Sequence, residues 1–189
     1  FGRLDEAENE LSIARESIYQ SFGEGPMLAD VFVEIARIKF VKGEVTACEK
    51  LTRDALACYS KLNGDRNPRV AMARIELAHA LAAMARYEEA LKLVNKGLTC
   101  LLAVCGPRHF DTARGFMVQG SIFMDIREDT ACREALGQCV RILELVHGED
   151  HVRVCNAKAV FAQCLINLCE FSQAERLLEH ADRAMVAFS

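Results

Sequence analysis

Tryptophan is absent from this chain, and proline occurs only three times and glycine eleven times in 189 residues. So few turn residues cannot punctuate a many-stranded all-β fold, but they suffice for helices joined by short loops. No Cys-x-x-Cys pair occurs among the nine cysteines. The odd thiol count in a chain of this size therefore fits neither the disulfide framework of a small secreted domain nor a paired-thiol zinc site, and it points to a reduced, intracellular setting. Excess positive charge is lacking too: 23 Lys and Arg stand against 27 Asp and Glu, a net charge of −4 and a pI near 5.8. Nucleic acids and anionic membranes both require a basic surface, so neither is an expected partner. No apolar run approaches the ~18 residues of a membrane span, and no signal segment opens the chain, so membrane insertion is not expected. Nucleotide-binding glycine loops, His-Glu-x-x-His and Gly-x-Ser-x-Gly are all missing, which leaves no catalytic signature and no expected cofactor or metal. What is present is 51% apolar and 26% charged, with mean hydropathy +0.07, enough for a sizeable core. Phe1 in place of an initiator Met points to a fragment of a longer chain.

Self-similarity organises the rest. Gly64, Gly106 and Gly148 recur every 42 residues, each opening a similar turn: Gly64-Asp65-Arg66-Asn67-Pro68, Gly106-Pro107-Arg108-His109-Phe110 and Gly148-Glu149-Asp150-His151-Val152. A fourth copy, Gly23-Glu24-Gly25-Pro26, keeps its proline in register with Pro68 but has lost one residue inside the loop. The expected organisation is a single array over 1–189: a half unit at 1–22, then units at 23–63, 64–105, 106–147 and 148–189.

Each unit holds two stretches in which apolar residues recur at three and four positions, the helical period. The spacing predicts helices near 3–22, 26–42, 45–62, 68–84, 87–104, 110–126, 129–147, 152–168 and 171–188. Asn67 before Pro68 is a helix start, because the Asn side chain accepts from an orphan backbone N–H and proline needs no N–H in the first turn. His109 and His151 occupy the same position and are expected to cap or shape their turns. Glu88 and Glu89 place negative charge at a helix N-terminus, where it is favoured. Asp5, Glu6, Glu8 and Glu10 read as a solvated acidic face at the first helix.

Stacking the units exposes three columns of small residues: Ala36, Ala78, Gly120 and Ala162; Cys48, Ala90, Cys132 and Ala174; Ala55, Gly97, Cys139 and Ala181. Helices approach at the short end of their usual 8–10 Å separation only where contact residues are small, so these columns mark the crossings. A bulky residue at Ala90 or Gly120 should overpack its crossing by roughly 1–3 kcal/mol. Bulky columns run between them, Ile35, Leu77, Gln119 and Phe161 in one and Thr52, Val94, Leu136 and Leu178 in the other. Cysteines in small columns, including Cys155 beside Ala29, Ala71 and Ala113, read as small hydrophobes and not as members of a site. His147, His151 and Cys155 recur every four residues but straddle a turn, which disfavours a zinc corner.

A helical hairpin with small residues in these three positions resembles the tetratricopeptide repeat. The period of 42 in place of about 34, the Gly-Glu-Asp-His turn at 148–151, Tyr87-Glu88-Glu89-Ala90 and the run from Phe171 to Leu178 resemble the longer variant of kinesin light chains. The resemblance implies an all-α, right-handed superhelical solenoid of antiparallel hairpins, non-enzymatic, whose first helices line a concave groove for a partner peptide or helix. Carried over by repeat position, the groove candidates are Glu34 and Arg37 in the first unit, with Asp30 and Val33 beside them; Met72, Glu76 and His79 in the second, with Ile75; Arg114, Met117, Ser121 and Asp125 in the third, with Val118; and Asn156, Gln163 and Asn167 in the fourth, with Val160. Where light chains carry an Asn-Asn pair in each first helix, this chain has Val33-Glu34, Ile75-Glu76, Met117-Val118 and Ala159-Val160. The mixture of Met and β-branched residues with isolated charges and amides suits an amphipathic helix or an extended segment.

The expected function is thus a protein interaction scaffold or adaptor, cytoplasmic, with a cytoskeletal or motor-linked role as its narrower form. Two other readings remain open: a regulatory or sensor module of a longer enzyme or nucleotide-binding protein, and homo-oligomerisation through exposed terminal units.

Overall fold

The structure, a computed structural model, describes residues 2–187. Phe1, Phe188 and Ser189, which the expected repeat boundaries and the last helix include, lie outside the described residues. Nine helices and no strand occur among the described residues: α1 Gly2–Phe22, α2 Pro26–Val41, α3 Val45–Asn63, α4 Pro68–Ala83, α5 Tyr87–Val104, α6 Phe110–Asp125, α7 Asp129–His147, α8 Val152–Asn167 and α9 Phe171–Ala187.

The expected starts hold because the local chemistry fixes them. The Asn67 side chain accepts from the Arg69 N–H at 2.8 Å with Pro68 in the first turn, and the Nδ1 atoms of His109 and His151 accept from the N–H groups of Asp111 and Arg153 at 3.2 and 3.1 Å. The first helices end one residue earlier than the apolar period implies, at Val41, Ala83, Asp125 and Asn167. Two residues on from these ends, Gly43, Ala85, Arg127 and Cys169 all take left-handed φ values, of 80°, 58°, 63° and 61°. This reversal closes a Schellman-type bond, from the N–H groups of Glu44, Arg86, Glu128 and Glu170 back to the carbonyls of Lys39, Leu81, Phe123 and Leu165 at 2.8–2.9 Å. Only Gly43 adopts that conformation without a Cβ penalty. Cys169→Gly should accordingly raise stability by about 0.5–1 kcal/mol while removing an exposed thiol; urea unfolding reads the change, and an unaltered or lowered midpoint contradicts the strain at this turn.

The chain divides into two compact units, Phe1–Cys100 and Leu101–Ser189. In the first, α1 packs on α2, α2 on α3 and α3 on α4. Ala36, Cys48 and Ala80 make one buried crossing, and Ala29, Ala55, Val70 and Ala73 another with Tyr59. Gly97 is the tightest point: a Cβ there would stand 2.9 Å from the Ala71 carbonyl oxygen and 2.8 Å from Ile75 Cγ1. The acidic face of α1 is not simply solvated. Asp5 and Glu8 both receive the Lys42 ammonium, and Glu8 also binds Lys39 at 2.7 Å, so two lysines of α2 tie down α1. Hydrogen bonds from Lys39 and then Lys42 hold the Glu8 carboxyl below its usual range.

In the second unit, α6 packs on α7, α7 on α8 and α8 on α9. Cys132, Leu136 and Cys164 form one buried cluster, Ala113, Cys139, Val154 and Ala157 belong to another, and Ala162, Leu165 and Ala174 to a third. At Gly120 a Cβ would meet Leu136 Cγ at 2.6 Å. The small columns therefore lie at helix crossings, as their spacing implies. Thr52, polar in a bulky column, is fully buried and satisfied by donating to the Cys48 carbonyl at 2.8 Å. Leu178 departs from its column: it is exposed, on the face of α9 that no described helix covers.

Candidate functional site

In the first unit the helical period brings Glu34, Arg37, Glu76 and His79 onto neighbouring faces of α2 and α4. Arg37 is the centre: its guanidinium donates to Glu34 Oε1 at 2.6 Å and to Glu76 Oε1 at 3.1 Å, spanning the two helices. Glu76 is largely covered, whereas Glu34 and Arg37 keep much of their surface in water. One turn further on, the His79 ring lies on Phe40 with centroids 4.3 Å apart, and Met72 is half-buried. The result is a surface with one cation between two carboxylates, bordered by an aromatic pair.

Two of the neighbouring candidates do other work. Ile75 is buried and faces Gly97 on α5, so it supports the crossing and does not line a surface. Asp30 accepts from the Tyr59 hydroxyl and from Arg69 at 2.9 Å, tying α2 to α3 and α4. Burial, and then this bond to a carboxylate, push the Tyr59 hydroxyl well above its ordinary pKa.

In the second unit, Arg114, Met117, Val118 and Ser121 are half-buried on α6 and Asp125 is exposed at its end. Met117 and Val160 pack onto the Cys132–Leu136–Cys164 cluster, and the Ser121 hydroxyl donates to the Met117 carbonyl at 3.0 Å. On α8 the amides of Asn156 and Gln163 are exposed and Asn167 is half-buried. This surface offers water-facing amides beside an apolar floor, without the ionic clamp of the first unit.

The remaining sequence candidates serve the fold. Burial pushes the thiols of Cys48, Cys58, Cys132 and Cys164 up, and that of Cys139 up to about 12, which disfavours the reactive thiolate. Several thiols sit against carbonyls at helix starts: Cys58 on Gly25 at 3.3 Å, Cys155 on Asp150 at 3.6 Å and Cys164 on Asp129 at 3.8 Å. His147 and His151 stack with centroids 4.5 Å apart, and His147 meets Phe110 edge-on at 5.6 Å. Among the described residues no three His, Cys, Asp or Glu side chains converge as metal ligands, and no helix is long and apolar enough to cross a membrane.

One polar cluster has no counterpart in the sequence reading. Lys158 on α8 is 3% exposed, with its ammonium 2.8 Å from Glu144 on α7 and 3.4 Å from His180 Nδ1 on α9. The other ring nitrogen of His180 faces Glu149 at 3.8 Å and Asp150 at 3.6 Å. The 42-residue register hides this group, because Phe32, Arg74 and Phe116 hold the column of Lys158 elsewhere.

Helix hairpins repeated at a constant period and crossing at small residues define an α-solenoid. Residues 27–103 match the family model of the tetratricopeptide repeat. Among solved structures, BtubC (BKLC) from P. vanneervenii is similar with a TM-score of 0.80 and 15% identity, covering 99% of this chain and 75% of that one. Nearly identical TPR-like repeats from Podosopora anserina, described under the name kinesin light chain, give a TM-score of 0.74 at 19% identity over 99% of this chain and 89% of that one. The apo form of RapI gives 0.71 at 14% identity, over 97% of this chain and 49% of that one. No curated protein matches the sequence. The chain thus has the fold of a TPR-like solenoid, and residues 27–103 carry the match to the tetratricopeptide repeat itself.

Proposed function

We propose that this array is a non-enzymatic scaffold that takes up a peptide or helix from a partner protein on the surfaces of its first helices. The observation that carries the reading is the α2–α4 surface, where Arg37 bridges Glu34 and Glu76 beside the His79–Phe40 pair. A cation held between two carboxylates is fixed in place, so it can donate to a carbonyl of a ligand without first losing side-chain freedom. Met72, and Met117 in the second unit, supply adaptable apolar contact. Asn156 and Gln163 add donors and acceptors for a peptide backbone. The likeness to repeats named for kinesin light chain supports the narrower reading, a cytoplasmic adaptor linked to the cytoskeleton or to a motor.

Affinity capture from the native cell with the full-length protein, compared with a version carrying Arg37→Glu and Arg114→Glu, tests this. Partners retained by the native surfaces are expected to be lost from the double variant while its far-UV circular dichroism stays helical. Capture of the same partners at the same yield by a folded double variant removes these surfaces as the site.

A further inference from the structure

One helix crossing holds two thiols where its counterpart holds one. Cys132 on α7 stands in the column of Cys48, Ala90 and Ala174, and Cys164 on α8 in the column of Ile38, Ala80 and Ile122. In the first unit these columns meet as Cys48 and Ala80, in one buried cluster with Ala36. The Cys48 thiol finds a hydroxyl there, Thr52 Oγ1 at 4.0 Å. In the second unit the columns meet as Cys132 and Cys164, both fully buried in one cluster with Leu136. Leu136 stands where α3 has Thr52, so that hydroxyl is gone. The two thiols hydrogen-bond each other instead, and Cys164 Sγ also lies 3.8 Å from the Asp129 carbonyl oxygen.

A disulfide needs Cβ atoms about 3.5–4.5 Å apart, and helices bring side chains that close only where the contact residues are small. We propose that Cys132 and Cys164 form an oxidative modification site, at which a peroxide closes a disulfide between α7 and α8 and thiol reductants reopen it. The Cys164 thiolate attacks one peroxide oxygen and the O–O bond breaks; the displaced oxygen leaves as water, and Cys164 becomes a sulfenic acid. The Cys132 sulfur then attacks the Cys164 sulfur, the S–O bond breaks, and the hydroxyl leaves with the Cys132 proton as a second water. The two thiols give up two electrons, and the peroxide takes them.

Cys164 reacts first. Burial pushes both thiols up, but the hydrogen bond between them offsets part of that rise at Cys164 and adds to it at Cys132. Since both sulfurs are out of solvent, the reaction runs through transient openings of the crossing and is slow at neutral pH. The bond fixes α7 against α8 beneath Met117 and Val160, which pack on the same cluster. It requires no partner at that surface.

The test treats the full chain with hydrogen peroxide under native conditions, blocks remaining thiols with N-ethylmaleimide and digests with trypsin without reductant. The expected product joins residues 128–133 to residues 159–176, and dithiothreitol separates them. The second peptide also carries Cys169, so variants assign the bond. Cys169→Ser should keep the linked product, whereas Cys132→Ala and Cys164→Ala should each abolish it. Alanine is this chain's own residue in both columns, at Ala90 and Ala80, and circular dichroism verifies that the variants are folded. The oxidised chain should melt about 5 °C or more above the reduced one, and Cys164→Ala should lose that gain. The proposal is overturned if peroxide oxidises the exposed Cys169 but yields no linked product, or if the product survives in Cys164→Ala. It is equally overturned if the urea-unfolded chain gives the same distribution of pairings as the native one, or if oxidation leaves the thermal midpoint unchanged.

Discussion

Gly97→Leu lowers the thermal midpoint by about 6–12 °C, corresponding to a loss of about 3 kcal/mol at the upper end of overpacking costs in a chain of this size. The obstacle is backbone: the first atom added at Gly97 stands 2.9 Å from the Ala71 carbonyl oxygen of α4, besides Ile75 Cγ1 at 2.8 Å. A helix cannot withdraw one carbonyl without giving up its own ladder, so α4 and α5 must separate along the whole crossing. Gly97→Ala isolates the effect. Alanine gains about 1 kcal/mol over glycine in a helix interior, yet the variant is expected to be less stable than the native chain. Gly120 provides the comparison. There the clash is with the Leu136 side chain, whose Cγ stands at 2.6 Å, so the loss from Gly120→Ala should shrink in a Leu136→Ala background, whereas the loss from Gly97→Ala should persist in an Ile75→Ala background because the Ala71 carbonyl remains. Urea unfolding of the single and double variants checks the pattern. Rescue at both sites would mean that side chains alone limit the approach of the helices.

That contrast marks how far the sequence can be read. The columns at Ala36, Cys48 and Ala55 are visible because every unit must solve the same packing problem, so the constraint repeats with the period. The left-handed turn at Gly43, Ala85, Arg127 and Cys169 repeats as strictly, but the residue type does not. A glycine signal present once in four is invisible to a search for turn residues, although the column was there to be aligned.

Charged partnerships obey no such rule. Lys42 reaches Asp5 and Glu8, and Arg37 reaches Glu76, across separations of 34 to 39 residues that no local spacing encodes. Long side chains choose partners from whatever the fold brings near, and each unit makes a different choice. For the candidate surfaces, period placed Glu34, Arg37, Glu76 and His79 on accessible faces but could not separate Ile75 from its neighbour Glu76. One residue turns the helix by about 100°, enough to carry a side chain from the edge of a surface into the α5 crossing.

Glu144→Leu is expected to cost about 2–3 kcal/mol because of the charge it leaves behind. Lys158 is 3% exposed, and Glu144 at 2.8 Å is its carboxylate partner, with His180 Nδ1 at 3.4 Å. Removing one member of a buried pair strands the other, which typically costs about 3–5 kcal/mol. Glu144 itself is partly open to water, so water reaching the stranded ammonium reduces the loss to the lower figure. The pair is not thereby a large net source of stability, since both ions gave up hydration to form it. The double variant Glu144→Leu with Lys158→Met removes both charges and keeps the volume, and it should unfold within about 1 kcal/mol of the native chain. The cluster also bears on α9, which reaches Lys158 through His180 and whose buried apolar residues in the core clusters are Ala174, Ala181 and Ala184, with Leu177 packed partly buried beside them. Such small side chains bury little apolar area, so the polar contact is a large share of what fixes α9 in place. Hydrogen exchange should therefore show α9 amides losing protection in Glu144→Leu ahead of those in α6 and α7, with protection restored in the double variant. Equal loss across α6 to α9 would show instead that the unit opens as a whole and that the cluster does not act locally on α9.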